Sequence, residues 1–426
     1  MALTVALVLA LCLLLSVPVS LALGIAAMIG LMFSAPEALI IMPQKFLAGL
    51  DSFPLMAIPL FVLAGSIMAQ GGMARRIVDM AMVFVGRIPG GLGLVVILSA
   101  MLFSGISGSP SANTAAIGSV AFPAMQRGRY PTDFATAILA SAGGVSMLVP
   151  PAIDLIIIGV VTGMSIGALF AAGVLPALVM GLGIMVLTYR SALKLQLPLQ
   201  DRMSLKEKLR ICRNGFLPML MVVIILGGIY GGVFTPTEAS AIAVVYGFCV
   251  SFFVYRELKL EDLPKVLLHT ASLTGIVMLI LAMGSIVSFV LTFERVPHQI
   301  AEWITQMAPN WVIFILSVHV IFLAVGMVMD ALPAIIILMP ILAPVAASLG
   351  MDPVHFGILV AANTGIGMIT PPVGICLFVA CGISGTRIEA VTPRLIPYLL
   401  VLMATLLAIT FFPEITLFLP RLLGYS

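Results

Sequence analysis

The sequence predicts an all-α polytopic membrane protein, and composition and pattern both point to this class. Hydrophobic residues make up 62% of the 426 residues and charged residues only 9%, whereas a soluble domain is nearer half apolar and one quarter charged. The apolar stretches are continuous rather than alternating, which excludes a transmembrane β-barrel. About 20 helical residues cross the ~30 Å hydrocarbon core, so we expect roughly 10 to 12 crossings and some shorter helices.

A third observation is an internal repeat. The pair Pro150-Pro151 recurs as Pro371-Pro372, at an offset of 221 residues (371 − 150). Of the six prolines between residues 107 and 187, four land on proline at this offset, where chance would give about 0.4 (6 × 28/426). Further matches are Pro123 with Pro344, Gly144 with Gly365, Pro176 with Pro397 and, at an offset of 220, Pro89 with Pro309. The chain is therefore predicted to contain two related halves.

The two halves organise the whole chain. We expect N-terminal helices in 1–50, a cytoplasmic loop with connecting helices in 191–265, and a C-terminal tail in 412–426. Each half, 51–190 and 266–411, is predicted to contain a hairpin and then a broken helix. The hairpins fall around 92–125 and 311–348, and the breaks around 143–151 and 363–372. Tandem halves with breaks at corresponding places are typical of secondary transporters, and we expect the two repeats to be inverted.

The hairpin tips are predicted to be polar interruptions of apolar sequence. Residues 104–114 read Ser-Gly-Ile-Ser-Gly-Ser-Pro-Ser-Ala-Asn-Thr between two apolar runs, and 326–333 are their counterpart in the second half. A bilayer core has no water to satisfy exposed backbone groups, so such a break must be buried in protein or line a polar cavity. The binding site is therefore predicted where the breaks meet.

The chemistry of the breaks suits an anion together with a hard cation. Unwound backbone exposes carbonyl oxygens that can ligate Na⁺, and half-helix N-termini favour an anion. A carboxylate at membrane depth is costly and needs a function or a partner. Asp330, inside a break, is the stronger candidate, whereas Asp154 either caps a helix or faces the cavity. The other polar side chains of the breaks are Ser107, Ser109, Ser111, Asn113, Thr114, Asn363, Thr364 and Thr370.

Sodium coupling fits this set of residues better than proton coupling. Proton transfer usually needs chains of ionisable groups, and the predicted core offers only Asp154, Asp330 and His319, which we expect to be a packing residue. The sequence has no phosphate-binding loop motif, so ATP hydrolysis is not expected. The five cysteines are expected to pack as small apolar residues. The histidines have no paired spacing for a metal site; they are His269, His298, His319 and His355.

Two local patterns predict orientation and a helix start. The hydrophilic segment 190–213 carries seven Lys or Arg residues against two acidic ones, and short basic loops stay in the cytoplasm. A solvated linker without topological meaning is the alternative for this segment. Thr235-Pro236-Thr237-Glu238 combines an N-cap threonine, a first-position proline and a reciprocal carboxylate, so it predicts a capping box.

An enzyme is a remote alternative. Residues 105–108, Gly-Ile-Ser-Gly, have the Gly-x-Ser-Gly form of intramembrane serine proteases, and His319 could serve as the base for Ser107. The motif is short in a chain with 39 glycines, and it recurs at 382–385, off the repeat offset. Inactivation by a serine-directed fluorophosphonate at Ser107 would favour this alternative.

Taken together, the motifs resemble those of the large membrane subunit (the M subunit, DctM-like) of tripartite ATP-independent periplasmic (TRAP) transporters. The resemblance rests on 86–91 (Gly-Arg-Ile-Pro-Gly-Gly), 103–118, 143–151, 233–240, 326–333 and 363–372. Each motif is short, but their order and spacing cover nearly the whole chain. The chain departs from the family pattern at Ala152-Ile153-Asp154, where a serine is expected after the proline pair, and at Ser146 and Met147.

The resemblance implies partners and a site. It implies a scaffold joined to a small membrane subunit of about four helices, a transport domain that moves as an elevator, and a periplasmic substrate-binding protein. The implied sodium ligands are Ser107, Asn113, Gly144, Ser146, Leu148, Pro150, Thr364, Gly365, Gly367 and Thr370. The implied substrate-binding residues are Ser107, Ser109, Ser111, Asn113, Asp330 and Asn363. Apart from Na⁺ as the coupling ion, no cofactor and no nucleic acid is expected.

The expected function is sodium-coupled import of an organic acid by a multi-pass protein of the bacterial inner membrane that is not an enzyme. The substrate is expected to be a carboxylate such as a C4-dicarboxylate, sialic acid or a sugar acid. The second hypothesis is a stand-alone sodium–anion symporter of a related elevator fold, which needs no binding protein. Uptake that persists without any binding protein would distinguish the two.

Overall fold

The computed structural model describes residues 2–200, 203–296, 299 and 310–425. Within these ranges the chain consists of helices joined by turns and short loops, and it contains no β-strand. The predicted all-α class is therefore confirmed. Four residues of the sequence argument lie outside the described ranges, namely Asp201 and Arg202 of the basic segment, His298 and Pro309.

Seven of the described helices are long and apolar enough to cross a membrane. They are Phe53–Gln70, Ile166–Lys194, Leu205–Tyr230, Pro236–Val254, Leu260–Phe293, Ala331–Ser348 and Ile388–Phe411. Six further apolar helices in the described ranges have only 10–17 residues, and a helix rises 1.5 Å per residue, so these are about 15 to 26 Å long. Full-length spans are thus fewer than the roughly 10 to 12 crossings expected from composition, because part of the apolar sequence forms short helices.

The first half folds into a hairpin and a broken helix. Gly108 ends the first arm of the hairpin at φ 66°, a left-handed conformation that suits glycine. Pro110 starts the second arm, where its missing N–H leaves no helical hydrogen bond unmade. Hairpin 1 consists of Gly91–Ser107 and Pro110–Arg127, broken helix 1 of Thr132–Ser146 and Ile153–Thr162, and the long helix Ile166–Lys194 follows.

The second half repeats this order. Hairpin 2 consists of Trp311–Gly326 and Ala331–Ser348, broken helix 2 of Pro353–Gly367 and Ile375–Ser384, and the long helix Ile388–Phe411 follows. The second hairpin arms begin 221 residues apart (331 − 110) and have 18 residues each. The broken helices also begin 221 residues apart (353 − 132), and their first parts have 15 residues each. The offset found from the prolines therefore also holds for the helix boundaries.

The unwound segments are shorter than the sequence predicted. The hairpin tips are residues 108–109 and 327–330, and the broken helices are unwound at 147–152 and 368–374. Gly144 and Gly365, which the sequence analysis placed in breaks, are helical. A Cβ atom built on Gly144 would lie 2.6 Å from the carbonyl oxygen of Gly365, and a Cβ on Gly365 would meet the carbonyl of Gly144 in turn. These glycines thus permit a close helix crossing instead of breaking a helix.

The remaining helices lie before, between and after the hairpin and broken-helix units of the two halves. The predicted capping box is confirmed, because the Thr235 hydroxyl accepts the N–H of Glu238 at 3.2 Å and the Glu238 carboxylate accepts that of Thr235 at 2.8 Å. The segment predicted as a tail contains a helix, and its Thr416 hydroxyl lies 2.7 Å from Nδ1 of His355. These helices are Ala2–Leu14, Val19–Ser34, Met42–Ala48, Ala57–Gln70, Met73–Val85, Leu205–Tyr230, Pro236–Cys249, Leu263–Phe293 and Glu414–Leu422.

Candidate substrate and cation site

In the first half, the hairpin tip is bound to the broken helix. The N–H of Ile153 donates to the carbonyl of Gly108 at 3.1 Å. The Ser104 hydroxyl donates to the carbonyl of Ser146. The carbonyl oxygen of Pro150 lies 2.9 Å from where a Cβ of Gly105 would stand. Carbonyl groups of the unwound segment therefore face the end of the first hairpin arm.

In the second half, the corresponding elements make the corresponding contacts. The N–H of Gly374, at the repeat offset from Ile153 (374 − 153 = 221), donates to the carbonyl of Met327 at 3.1 Å. A Cβ on Gly326 would lie 2.9 Å from Cα of Gly367, so the hairpin arm and the broken helix are in close contact. Each tip is thus held by its own broken helix through a backbone hydrogen bond.

The two halves also exchange partners. The second arm of hairpin 1 packs on Ile375–Ser384, and the second arm of hairpin 2 packs on Ile153–Thr162. A Cβ on Gly143 of broken helix 1 would meet the hydroxyl oxygen of Thr114 and would lie 3.4 Å from Cβ of Cys376, so hairpin 1 and broken helix 2 approach the same point. Asp330 of hairpin 2 acts electrostatically on Asp154. These contacts bring both tips and both breaks together, at the place where the sequence predicts a binding site.

Four helix N-termini meet at this site. They belong to Pro110–Arg127, Ile153–Thr162, Ala331–Ser348 and Ile375–Ser384. A helix N-terminus carries about half a positive charge and attracts anions. Two of them carry a carboxylate of their own, since Asp154 lies in a first turn and Asp330 accepts the N–H of Ala331 at 2.8 Å. The first turns of Pro110–Arg127 and Ile375–Ser384 contain no acidic residue, so these two termini are available to an anion.

Two buried asparagines each have one amide atom without a partner. Nδ2 of Asn113 donates to the carbonyl of Ala100 at 2.7 Å, and Nδ2 of Asn363 donates to that of His319 at 2.9 Å. Both side chains are fully buried, and neither Oδ1 atom has a hydrogen-bond partner. An unpaired buried carbonyl oxygen is costly, and a bound cation or hydrogen-bond donor would satisfy it.

The other residues implied as sodium ligands in the first half lie at several places. Ser107 is 8% exposed and its hydroxyl is 3.5 Å from the carbonyl of Ser109. The Ser146 hydroxyl donates to the carbonyl of Gly143 at 2.6 Å. The carbonyl of Leu148 lies against Gly173 of the following long helix, and so it faces away from hairpin 1. Among these residues, Ser146 and Pro150 of broken helix 1 thus lie against hairpin 1, which carries Ser107.

In the second half, the threonine hydroxyls are used by their own helix. Thr364 donates to the carbonyl of Val360 at 2.7 Å, and Thr370 donates to that of Ile366 at 2.7 Å. Each hydroxyl keeps lone pairs that could still bind a cation. The carbonyl oxygens of Met368 and Thr370 both lie 2.9 Å from where a Cβ of Gly374 would stand.

The hydroxyls of Ser109 and Ser111, implied in substrate binding, are 3.3 Å apart beside the tip of hairpin 1.

Two residues of the site were not expected from the sequence. Ser104 opens the polar stretch 104–114 but was not named as a site residue, and Cys376 was expected to pack as a small apolar residue. Cys376 follows the second proline pair at the distance at which Leu155 follows the first (376 − 221 = 155), which is the signal that could have placed it beside the break. Ser104 lies at the start of the predicted tip, but its hydrogen bond to the carbonyl of Ser146 depends on how broken helix 1 packs against it.

The structure gives Ser107 and His319 different partners. Nε2 of His319 lies 3.0 Å from the hydroxyl of Thr410, whereas Ser107 is hydrogen-bonded to Ser109. Among the described residues, no group of three or more His, Cys, Asp or Glu side chains could hold a metal ion. The arrangement therefore has the features of a binding site inside a membrane transporter, with no serine–histidine pair.

Comparison with known proteins identifies the family. Residues 6–415 match the family described as the DctM component of the tripartite ATP-independent periplasmic transporter. The chain is 41% identical over 404 residues to the C4-dicarboxylate TRAP transporter large permease protein DctM of Pseudomonas aeruginosa, covering 95% of both chains. It is 38% identical over 411 residues to the isethionate TRAP transporter permease protein DctMQ of Oleidesulfovibrio alaskensis, covering 96% of this chain and 65% of that protein.

The chain is thus a transporter permease and not an enzyme, and it lies in the bacterial inner membrane. It belongs to the DctM family of TRAP transporter large permease subunits. Among solved structures, it resembles the YdaH transporter of Alcanivorax borkumensis, with a TM-score of 0.58 at 14% identity, over 88% of each chain. This likeness shows that the fold is shared with another transporter.

Proposed function

We propose that this permease imports a small organic anion together with Na⁺, as one component of a tripartite system. The observation that carries the proposal is the meeting of two hairpin tips and two broken helices around buried oxygens that lack partners. Secondary transporters bind an ion and an anionic substrate where unwound backbone and half-helix N-termini lie close together.

The substrate is proposed to be an organic acid bound at two helix N-termini. Those of Pro110–Arg127 and Ile375–Ser384 have no acidic residue in their first turns. The two relatives described above are named for a C4-dicarboxylate and for isethionate, a sulfonate. What these compounds share is an acidic group bearing a full negative charge. Ser107, Ser109, Ser111, Asn113 and Asn363 are proposed to hydrogen-bond the substrate, with Asp330 at its edge.

Two sodium sites are proposed, one in each half. The first uses the carbonyls of Ser146 and Pro150, which face hairpin 1, with Ser107 and Oδ1 of Asn113 nearby. The second lies where Gly326 meets Gly367, with oxygens of Thr364, Gly365 and Thr370 as candidates. Carbonyl and hydroxyl oxygens are suitable ligands for a hard monovalent ion, which the site must release again during transport.

Two partners are proposed. The family name describes three parts and a periplasmic step without ATP, which fits a periplasmic substrate-binding protein and a second membrane subunit of about four helices. The DctMQ relative is longer than this chain, which covers 65% of it. The additional length of that relative leaves room for such a subunit in the same polypeptide.

Transport is proposed to occur by an elevator motion of inverted repeats. Hairpins 1 and 2 and the two broken helices contact one another across the halves in reciprocal pairs, as expected for two copies related by a two-fold axis. We propose that these four elements move as one body. The helices Ala57–Gln70 and Leu263–Phe293, one at the start of each half, are assigned to the scaffold together with 1–50 and 191–265.

The test is uptake by the reconstituted system. The chain is purified with its small membrane subunit, placed in liposomes and supplied with its binding protein and radiolabelled substrate. Uptake should require an inward Na⁺ gradient and should stop when Na⁺ is replaced by choline. Equal uptake in both conditions would contradict the proposal, and uptake without any binding protein would favour the stand-alone symporter.

A further inference from the structure

Asp154 is a buried carboxylate with an oxygen that lacks a partner. It is 2% exposed, and its Oδ2 atom has no hydrogen-bond partner. Removing a carboxylate from water is costly unless it is paired with a cation or hydrogen-bonded. Neither the substrate site nor the two sodium sites proposed above uses this oxygen, and so it needs a separate explanation.

A second carboxylate, that of Asp330, lies at the start of a helix of the other half that packs against the helix of Asp154. Ala331–Ser348 packs on Ile153–Thr162, and both helices have their carboxylate at the N-terminus: Asp330 caps the first and Asp154 lies in the first turn of the second. Asp330 acts on Asp154 electrostatically. Two ionised carboxylates in a low-dielectric site repel each other. A positive charge between them would reduce this repulsion.

No basic side chain of the described residues is paired with either carboxylate. The ion pairs of this part of the chain join Arg76 with Glu257, Arg394 with Asp133 and Arg421 with Glu414. Neither Asp154 nor Asp330 takes part in them. A bound cation would supply a compensating charge that these side chains do not.

We infer that Asp154 and Asp330 together bind one Na⁺ ion, in addition to the two sodium sites proposed above. Hard cations prefer oxygen ligands, and Oδ2 of Asp154 is a free one. The described residues provide no third acidic, His or Cys ligand here, which is fewer than Ca²⁺ sites usually have. A monovalent ion therefore fits better than a divalent one. The inference rests on the proposed sodium coupling and adds a third ion to it.

The third ion would also support binding of the anionic substrate. Two uncompensated carboxylates oppose an anion at the neighbouring helix N-termini, whereas an ion between them lowers that repulsion. Binding of the cation and binding of the anion are then linked, and each strengthens the other by the same factor. The site would thus couple binding of the cation to binding of the anionic substrate.

The test counts sodium ions. The permease with its small subunit is purified in detergent, and equilibrium binding of ²²Na⁺ is measured by scintillation proximity for the natural chain and for Asp154→Asn. Saturated binding should fall from three ions to two per permease, that is to about two-thirds. Asp133→Asn is the matched control, because Asp133 is also a first-turn carboxylate but pairs with Arg394 at 3.1 Å near the surface. It should bind as much ²²Na⁺ as the natural chain.

Each outcome is decisive. Equal saturation in the natural chain and Asp154→Asn would overturn the third site and leave the sodium coupling proposed above intact. No ²²Na⁺ binding by the natural chain would overturn both. If Asp154→Asn does not give a monodisperse protein, Asp154→Ser takes its place, and a count of two ions for the natural chain would refute the inference without any variant.

Discussion

At the scale of single residues, the closest crossing between the two halves is made by glycines, which have no side chain. Gly144 and Gly365 occupy equivalent positions in the repeat and touch each other's backbone. Gly326 and Gly367 allow a second close approach, between hairpin 2 and broken helix 2. At these positions the backbone atoms themselves form the contact, so no side chain can be accommodated without moving a helix.

Gly144→Ala should destabilise the protein by about 1–3 kcal/mol, since its Cβ would lie 2.6 Å from the carbonyl oxygen of Gly365, which is overpacking against backbone. Thermal unfolding of the purified protein in detergent measures this. Gly275→Ala is the control, because no neighbouring atom lies within 4 Å of its Cβ and alanine favours a helix by up to about 1 kcal/mol. Equal melting temperatures for the two variants would refute the close crossing.

The sequence indicates which polar residues could form the site but not how its helices cross. Asn113, Asp330 and Asn363 were singled out because polar residues in an apolar sequence need a reason. Gly144 and Gly365 were interpreted as helix breakers, because glycine in a helix is equally compatible with a break and with a close contact. Only the position of the partner helix distinguishes these, and that position depends on contacts between residues more than 200 apart in the chain.

At the scale of elements, prolines and capping residues made the boundaries predictable. Proline is tolerated at a helix start and disfavoured in its interior, so a repeated proline pattern predicts repeated element boundaries. The hairpin predicted around 311–348 lies at Trp311–Ser348 in the structure, where its two arms have residues 327–330 between them. The exchange of partners between the halves was not predictable, since it leaves no local sequence pattern.

Thr235→Ala tests an element boundary. Loss of an N-cap hydroxyl usually costs about 1 kcal/mol, so the helix starting at Pro236 should be destabilised and the melting temperature should fall. Thr292→Ala makes the same change at an exposed position inside a helix, where the hydroxyl only donates to the carbonyl of Ser288, and it should have little effect. A larger loss for Thr292→Ala than for Thr235→Ala would contradict the capping role.

At the scale of the whole molecule, the proposed motion requires hairpin 2 to slide against the long helix Leu263–Phe293. Gly284 and Ile336 meet at this boundary, and a Cβ on Gly284 would lie 3.6 Å from Cβ of Ile336. Disulfides form at Cβ–Cβ distances of about 3.5–4.5 Å. The pair therefore offers a reversible crosslink between the proposed moving body and the proposed scaffold.

The double variant Gly284→Cys/Ile336→Cys should lose uptake on oxidation and regain it on reduction, because the crosslink prevents relative movement. Uptake by the reconstituted system is the measurement. Ile336→Cys alone, oxidised in the same way, controls for the native cysteines and should keep its activity. Full uptake by a demonstrably crosslinked double variant would show that these elements do not move relative to each other during transport.

The short helices around the site have an electrical consequence. Helices of 10 and 15 residues are about 15 and 23 Å long, so a broken helix that spans the ~30 Å core would have its break inside the core and away from both surfaces. One charge moved across the whole membrane changes the energy by about 2.3 kcal/mol per 100 mV. An ion that reaches the tips after half of that voltage drop is therefore stabilised by about 1 kcal/mol per 100 mV. If Na⁺ binds at the proposed sites, its affinity would therefore depend on the membrane voltage, and an energised cell would load the transporter at lower sodium than a de-energised one.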